Sequence, residues 1–201
     1  APSFDLPVAV QDQFGLKAAR NVTIGVTDVN EAPSLADATL QVMENAAPGT
    51  ALSPVLAAVD ADEGDVLGYQ ITAADTSGHL FDIASAANKG TITVAAGATL
   101  NYELKTSYTL TVEVTDAKGL KDSATITVAV QDANEKPVIT TNALSATEGT
   151  AKDVRIGSPV QASDPDGLAL AFSLTGGNVG TAFAIDPATG AVLHDTPATT
   201  P

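Results

Sequence analysis

Asp132-Ala133-Asn134-Glu135-Lys136-Pro137 decides how this chain is organised, because it repeats the earlier stretch Asp28-Val29-Asn30-Glu31-Ala32-Pro33 in nearly the same form. The two stretches are 132 − 28 = 104 residues apart, and the same offset relates Asp12 to Asp116 and Asp60 to Asp164. A constant offset over many positions indicates tandem units and not one large domain. Each copy places an Asn between two acidic residues and ends on a Pro, which stops a strand. The two stretches are therefore predicted to be short, oxygen-rich linkers.

The composition limits the classes of partner. Of 201 residues, 24 are acidic and nine are basic, so the formal charge is −15. Neither nucleic acid nor an anionic membrane is then an expected partner, whereas divalent cations are. No run of about 20 apolar residues is present, so we expect no membrane insertion. Cysteine is absent, which excludes disulfides and, for an extracellular chain, is more usual in large bacterial surface proteins than in animal ones.

Alternation of apolar and polar residues predicts β-strands along the whole chain. In residues 1–33 two alternating runs flank a turn at Asp12, which predicts a hairpin, and the same pattern recurs one period later. Residues 34–137 hold the one complete unit, in which seven short strands with frequent turn signals are typical of a Greek-key β-sandwich. Residues 138–201 restart the unit, with further strands expected at Leu170 to Leu174. The predicted division is therefore 1–33, 34–137 and 138–201.

The two partial units together come close to one whole unit. The hairpin of one molecule is therefore predicted to be able to complete residues 138–201 of another by segment exchange, with Asp12 in the place of Asp116. The positions at which this sequence begins and ends would by themselves also explain the two partial units. Segment exchange and a simple choice of boundaries therefore both stay open.

The units resemble cadherin repeats, in particular the bacterial cadherin-like kind. The motifs that carry the resemblance are the two linkers together with Glu44-Asn45, Asp60-Ala61-Asp62, Tyr69, Leu100-Asn101-Tyr102-Glu103 and Val114-Thr115-Asp116. The resemblance covers nearly the whole chain. It implies an all-β fold of tandem Greek-key, seven-stranded, Ig-like β-sandwiches of the cadherin type, with Ca²⁺ held between successive repeats.

The resemblance also implies two sets of calcium ligands. Those around the second linker are Glu44, Glu103, Asp132, Asn134, Glu135, Asp164 and Asp166. Those around the first linker are Asp28, Asn30, Glu31, Asp60, Asp62 and Asp116. Asn101 stands where the family has Asp, and Glu31 and Glu135 stand where Asp is common, so fewer than three ions per junction are expected.

The Asp, Glu and Asn residues of these motifs also indicate calcium independently of the resemblance. Calcium takes six to eight oxygen ligands in irregular geometry, and carboxylates, Asn side chains and backbone carbonyls supply them. Asp60-Ala61-Asp62-Glu63-Gly64-Asp65 also begins like an EF-hand loop, but its Gly is at the fifth position and Ile71 occupies the twelfth, where Glu is required. The EF-hand interpretation is therefore rejected.

The sequence favours a calcium-binding, calcium-rigidified repeat array that serves as an adhesion or spacer segment of a secreted or cell-surface protein such as a bacterial adhesin. Its expected partners are neighbouring repeats of the same protein. The alternatives are a module that binds polysaccharide or another copy of the array, and an accessory region of a secreted hydrolase. Sugar sites usually need exposed aromatic residues, and this chain has only three Tyr, five Phe and no Trp. No catalytic motif is present, so no enzyme activity is predicted.

Overall fold

The computed structural model describes residues 2–62, 64–74, 78–141, 143–178 and 181–195. Their strands are β1 Ser3–Gln11, β2 Lys17–Gly25, β3 Ala38–Met43, β4 Leu56–Ala57, β5 Gly68–Ala74, β6 Phe81–Ala86, β7 Lys89–Val94, β8 Ser107–Thr115, β9 Lys121–Gln131, β10 Val138–Ile139, β11 Ala162–Ser163, β12 Phe183–Ile185 and β13 Val192–His194. No helix in this part of the chain has the length and apolar character needed to cross a bilayer.

The chain forms two compact units. The first consists of Ala1–Val42, Ala46–Thr99 and Ser107–Ala129, and the second of Met43–Asn45, Leu100–Thr106 and Val130–Pro201. The final residues of β3 and β9, and the 100–106 segment, are thus grouped with the second linker and the residues that follow it.

Strands β3 to β9 make the sandwich that the alternation predicts. One sheet has the order β3-β9-β8-β5 and the other the order β4-β7-β6, which gives seven strands within the described part of residues 34–137. The prediction of an all-β sandwich with seven strands in the complete unit is confirmed. β4 is the shortest of these seven strands, with only the two residues Leu56–Ala57.

Alternating side chains of β8 and β9 form the centre of the core. Leu110, Val112 and Val114 are at most 1% exposed, and Ile126 and Val128 on the paired strand are fully buried. Each such side chain contributes about 1.5–3 kcal/mol when it leaves water. The loops at the ends of these strands are therefore held on a rigid support.

The N-terminal hairpin repeats the conformation of β8 and β9. β1 pairs with β2 from Ser3 opposite Gly25 to Gln11 opposite Lys17. Asp12 Oδ1 accepts the backbone N–H groups of Phe14 and Leu16 at 2.9 and 2.8 Å. Asp116 Oδ1 accepts the equivalent pair at the same two distances. The predicted hairpin is confirmed, although its apolar side chains are exposed where their counterparts in β8 are buried.

The second unit carries fewer paired strands. β10 pairs with β11, and β12 pairs with β13. The strand predicted at Leu170 to Leu174 is wrong, since the described residues there are irregular. Its counterpart β5 takes its hydrogen bonds from β8, and no described residue of the second unit supplies an equivalent partner strand. An open apolar cavity of about 470 Å³ lies instead beside Phe172, Leu174 and Ile185.

Candidate metal centres

The first acidic cluster is built on the loop that follows β4. Asp60, Asp62 and Asp65 each offer a carboxylate oxygen, and these three oxygens lie within 4.8 Å of one another. The loop turns tightly because Asp60 Oδ1 accepts the Asp62 backbone N–H at 2.9 Å and Gly64 adopts a φ of 93° that a side chain would disfavour. Asp62 is only 8% exposed, which is unusual for a charged residue. The loop thus concentrates negative charge in a half-buried space.

The first linker and the β8–β9 turn close on this loop. The Glu31 backbone N–H donates to Asp62 Oδ2 at 2.9 Å. Asn30 Nδ2 donates to Asp116 Oδ2 at 2.6 Å. Burial alone would raise the pKa of Asp116, but the hydrogen bonds from Asn30 and from the backbone of its own turn outweigh it, so the pKa is lowered. Asp116 is therefore held as a carboxylate.

Several oxygens of this cluster have no hydrogen-bond donor. Asn30 Oδ1, Asp60 Oδ2, Asp62 Oδ1 and Asp65 Oδ2 are buried atoms without a hydrogen-bond partner. Buried polar atoms are almost always satisfied, because an unsatisfied one has lost its water without compensation. All four are oxygens, the only ligand type that a hard cation such as Ca²⁺ favours. The donor set of this cluster therefore fits calcium.

The second acidic cluster is centred on Glu44, which directly follows β3. Glu44 is 2% exposed and accepts the backbone N–H groups of Tyr102 and Ala133, each at 2.8 Å. One carboxylate oxygen from each of four residues lies within 4.8 Å of the other three: Glu44, Glu103, Glu135 and Asp166. Glu44 thus ties the 100–106 segment to the second linker.

The second linker repeats the geometry of the first. The Glu135 backbone N–H donates to Asp166 Oδ2 at 2.8 Å, as that of Glu31 does to Asp62. Asn134 Nδ2 donates to the Glu135 carbonyl at 3.0 Å, and Asn30 makes the same bond at 3.2 Å. Glu135 Oε2 and Asp166 Oδ1 are buried without a donor. Both linkers are therefore folded around the acidic loop that follows them in the chain.

The carboxylates of the second cluster repel one another. Desolvation, followed by the negative charge of Asp166, raises the pKa of Asp132. Desolvation, with the charges of Glu44, Glu103 and Asp166, raises the pKa of Glu135 even though Asn45 donates to it. The backbone N–H of Glu103 would lower its pKa, but desolvation and the charges of its neighbours outweigh this, so that pKa is raised as well.

The direction of each pKa shift determines how that carboxyl affects stability. A carboxyl whose pKa is higher in the folded than in the unfolded chain opposes folding when it is charged, and the opposition is relieved as the pH falls through that pKa. Glu44 has the reverse sign, because the Tyr102 N–H lowers its pKa against the effect of burial. The stability that Glu44 contributes is fully present above the pKa of Glu in the unfolded chain, and it is lost as the pH falls through the lowered pKa of the folded state. At neutral pH a bound cation would relieve the repulsion that protons relieve in acid.

The structure places most of the candidate ligands at these clusters. Asp132 and Asn134 line a cleft with Asp166. Asp164 Oδ1 accepts the Leu168 backbone N–H at 3.3 Å and lies outside the group of four carboxylates. Asp12 and Asp28 belong to neither group of carboxylates found among the described residues.

Two side chains of these clusters were not among the ligands expected from the sequence. Asp65 lies within the first cluster, and Asn45 Nδ2 donates to Glu135 Oε1 in the second. Asp65 follows Asp60 by five residues in the same turn, and that proximity is the signal that could have found it. Asn101 uses its Oδ1 to accept the Leu104 backbone N–H at 2.7 Å.

A sandwich of four and three strands, preceded and followed by linkers folded around acidic loops, defines a cadherin-like domain. In agreement, residues 38–131 match the family model of the cadherin domain.

The relatives with which the chain aligns are long cadherin-type proteins. The chain is 33% identical over 196 residues to the protocadherin-like wing polarity protein stan of Drosophila melanogaster. This alignment covers 90% of the chain and 5% of that protein. It is 36% identical over 104 residues to human cadherin EGF LAG seven-pass G-type receptor 2, covering 50% of this chain and 3% of that protein. The chain thus spans a small part of the length of either relative.

Solved structures share the fold. Human CDH23 EC21-23 superposes with a TM-score of 0.71 at 21% identity, over 98% of this chain and 65% of that one. Protocadherin Gamma B2 extracellular cadherin domains 3-6 superpose with a TM-score of 0.63 at 20% identity, over 99% of this chain and 51% of that one. At this level of identity the likeness concerns the fold alone.

Proposed function

We propose that this chain is a calcium-binding segment of an extracellular adhesion protein, in which Ca²⁺ at the linkers stiffens an array of cadherin-like repeats. The observation that carries the proposal is the set of buried oxygens without donors on Asn30, Asp60 and Asp62. The second cluster supports it with four carboxylates that share one space. The array would then act as a spacer of fixed reach.

The chemistry of the ligands supports calcium rather than a softer metal. The candidate ligands are carboxylates and Asn side chains, and zinc and copper sites usually include His or Cys. In the first cluster Asn30, Asp60, Asp62 and Asp116 would hold the ion, with backbone carbonyls and water completing its shell. In the second, Glu44, Glu103, Asp132, Glu135 and Asp166 would do so. Bound calcium supplies positive charge that neutralises these carboxylates.

The linkers are the segments that such an ion would stiffen. In both linkers one backbone N–H is already bound to an aspartate of the acidic loop that follows, at 2.9 and 2.8 Å. A cation on the free oxygen of the same aspartate would fix that aspartate and, through it, the linker backbone. Without the cation, repulsion among the carboxylates favours opening of the cluster.

Small-angle scattering tests the stiffening. We expect a larger radius of gyration and a narrower spread of conformations in millimolar Ca²⁺ than in chelator. Asp132→Ala should remove most of this calcium-dependent difference, because it deletes the linker carboxylate that lines the cleft beside Asp166. Asp5→Ala removes an exposed aspartate that accepts the Thr23 hydroxyl, and it serves as the control with the same loss of charge. Profiles of the unaltered chain that coincide with and without calcium would contradict the proposed function.

Two partners proposed from the sequence stay predictions. Segment exchange with a second copy is compatible with the exposed apolar side chains of the β1–β2 hairpin and with the open cavity beside Phe172 and Ile185. Polysaccharide binding is not favoured by any observation on the described residues. The proposed adhesive role therefore rests on the calcium clusters and on the cadherin-like fold.

A further inference from the structure

Asp65 lies in the first cluster although neither the linker motif nor the Asp60-Ala61-Asp62 motif includes it. Its Oδ2 is a buried atom without a hydrogen-bond partner. One of its oxygens lies within 4.8 Å of oxygens of Asp60 and Asp62. Asp62 is itself 8% exposed, with Oδ1 buried and unpartnered. Three carboxylates thus place oxygens close together, and each carboxylate has one buried oxygen that no hydrogen-bond donor contacts.

Asn88, in the turn between β6 and β7, fixes the backbone next to Asp65. Its Nδ2 donates to the Asp65 carbonyl at 2.7 Å, and its Oδ1 accepts the Leu67 backbone N–H at 3.0 Å. Both hydrogen-bonding groups of one side chain therefore hold residues 65–67. Because residue 66 lies between the two bonds, the backbone beside Asp65 has little freedom to rotate.

Asn88 is itself held in place by Tyr69. The Tyr69 hydroxyl donates to the Asn88 carbonyl at 2.9 Å. The Tyr69 ring packs over Gly90, where a Cβ atom would stand 2.7 Å from Tyr69 Cδ1. Asn88 has a φ of 57°, in the left-handed region that Asn and Gly tolerate best. A buried tyrosine thus supports the turn that supports Asp65.

The second repeat lacks both members of this pair. After Asp164-Pro165-Asp166-Gly167 the next residue is Leu168, where the first loop has Asp65 after Gly64. The turn corresponding to that of Asn88 is two residues shorter, with four residues between Ile185 and Gly190 against six between Ile83 and Gly90. Those four residues include no Asn. The carboxylate and the side chain that holds its backbone are thus present together in one repeat and absent together from the other.

We propose that Asp65 is an additional direct ligand of the cation at the first cluster and that Asn88 is its positioning residue. The inference rests on the proposed function and adds to it a difference between the two clusters. The affinity of an oxygen site for Ca²⁺ rises with the number of charged ligands and with the rigidity of the site. Asp65 contributes the charge, and Asn88 contributes the rigidity.

Calorimetric titration of the whole chain with CaCl₂ tests the role of Asp65. Asp65→Ala is expected to weaken one class of sites by about tenfold or more and to leave the other class unchanged. Asp82→Ala removes the same charge from β6, where the Asp82 side chain is 53% exposed, and should leave both classes unchanged. Terbium luminescence lifetimes in H₂O and D₂O should show one additional bound water in Asp65→Ala, as expected when a direct ligand is lost.

Asn88→Gly tests the positioning role. Glycine keeps the left-handed backbone conformation and removes only the side-chain bonds. We expect calcium affinity at the same class of sites to fall by about tenfold, with all carboxylates intact and the melting temperature in chelator little changed. A purely structural role would instead lower that melting temperature and leave the affinity unchanged, which would overturn the positioning role.

The outcomes separate this inference from the proposed function. If the unaltered chain binds calcium and Asp65→Ala binds it equally tightly, with the same number of bound waters, Asp65 is not a ligand and the proposed function stands. If the unaltered chain binds no calcium, both the proposed function and the inference are overturned.

Discussion

Calcium at about 10 mM is expected to raise the melting temperature of this chain by ~10 °C or more over its value in chelator. A ligand that binds only the folded state stabilises it by about 2.7 kcal/mol when present at a hundred times its dissociation constant. Sites of extracellular modules have dissociation constants of about 10⁻⁴–10⁻³ M. For a chain of this size each kcal/mol corresponds to about 2–4 °C, so two clusters with dissociation constants of about 10⁻⁴ M reach the expected shift. Differential scanning calorimetry measures it directly.

Magnesium at the same concentration is the control for this shift. Mg²⁺ requires near-octahedral geometry and gives up its water reluctantly, so an irregular set of carboxylates favours Ca²⁺. We therefore expect a much smaller shift with magnesium. Equal shifts with both ions would mean that unspecific screening of the −15 charge, and not coordination, stabilises the chain.

Glu44→Ala is expected to have the largest effect of any single substitution in the second cluster. It removes a cation ligand, and it also leaves the backbone N–H groups of Tyr102 and Ala133 without their acceptor. Both hydrogen bonds are part-buried, and a donor that loses its acceptor away from water is unfavourable. We therefore expect the melting temperature to fall by ~5 °C or more even in chelator, and calcium to restore little of the loss.

Glu148→Ala is the matched control, because Glu148 occupies the same position one period later and is exposed. We expect Glu148→Ala to leave both the melting temperature in chelator and the calcium-induced shift nearly unchanged. Any change should be a small fraction of the change caused by Glu44→Ala. Similar behaviour of the two variants would show that Glu44 has no special part in the cluster. Thermal melts with and without chelator, monitored by circular dichroism, separate the two contributions.

The strands were predictable where alternation and local turns determine them. The two runs around Asp116, from Tyr108 to Val130, form β8 and β9 because their apolar faces have a core to cover. The same pattern at Leu170 to Leu174 forms no strand, since a strand also needs a hydrogen-bonding partner that periodicity does not report. Local sequence therefore predicts which face is apolar, but the pairing depends on distant residues.

The candidate clusters were predictable to the extent that they follow the repeat. Glu44, Glu135 and Asp166 converge as expected from the linker motif and its 104-residue offset. Asp65 was missed because an aspartate in a Gly-containing turn is ordinary turn chemistry. Asn88 was missed because its contact with Asp65 spans 23 residues and depends on how the β6–β7 turn packs.

A crystal structure grown in millimolar CaCl₂ tests the central claim most directly, which is that the acidic loops and linkers bind calcium. The account predicts an ion at each cluster with oxygen ligands at about 2.3–2.6 Å, including oxygens of Asp62 in the first and of Glu135 or Asp166 in the second. Well-ordered clusters that contain only water under these conditions would contradict it.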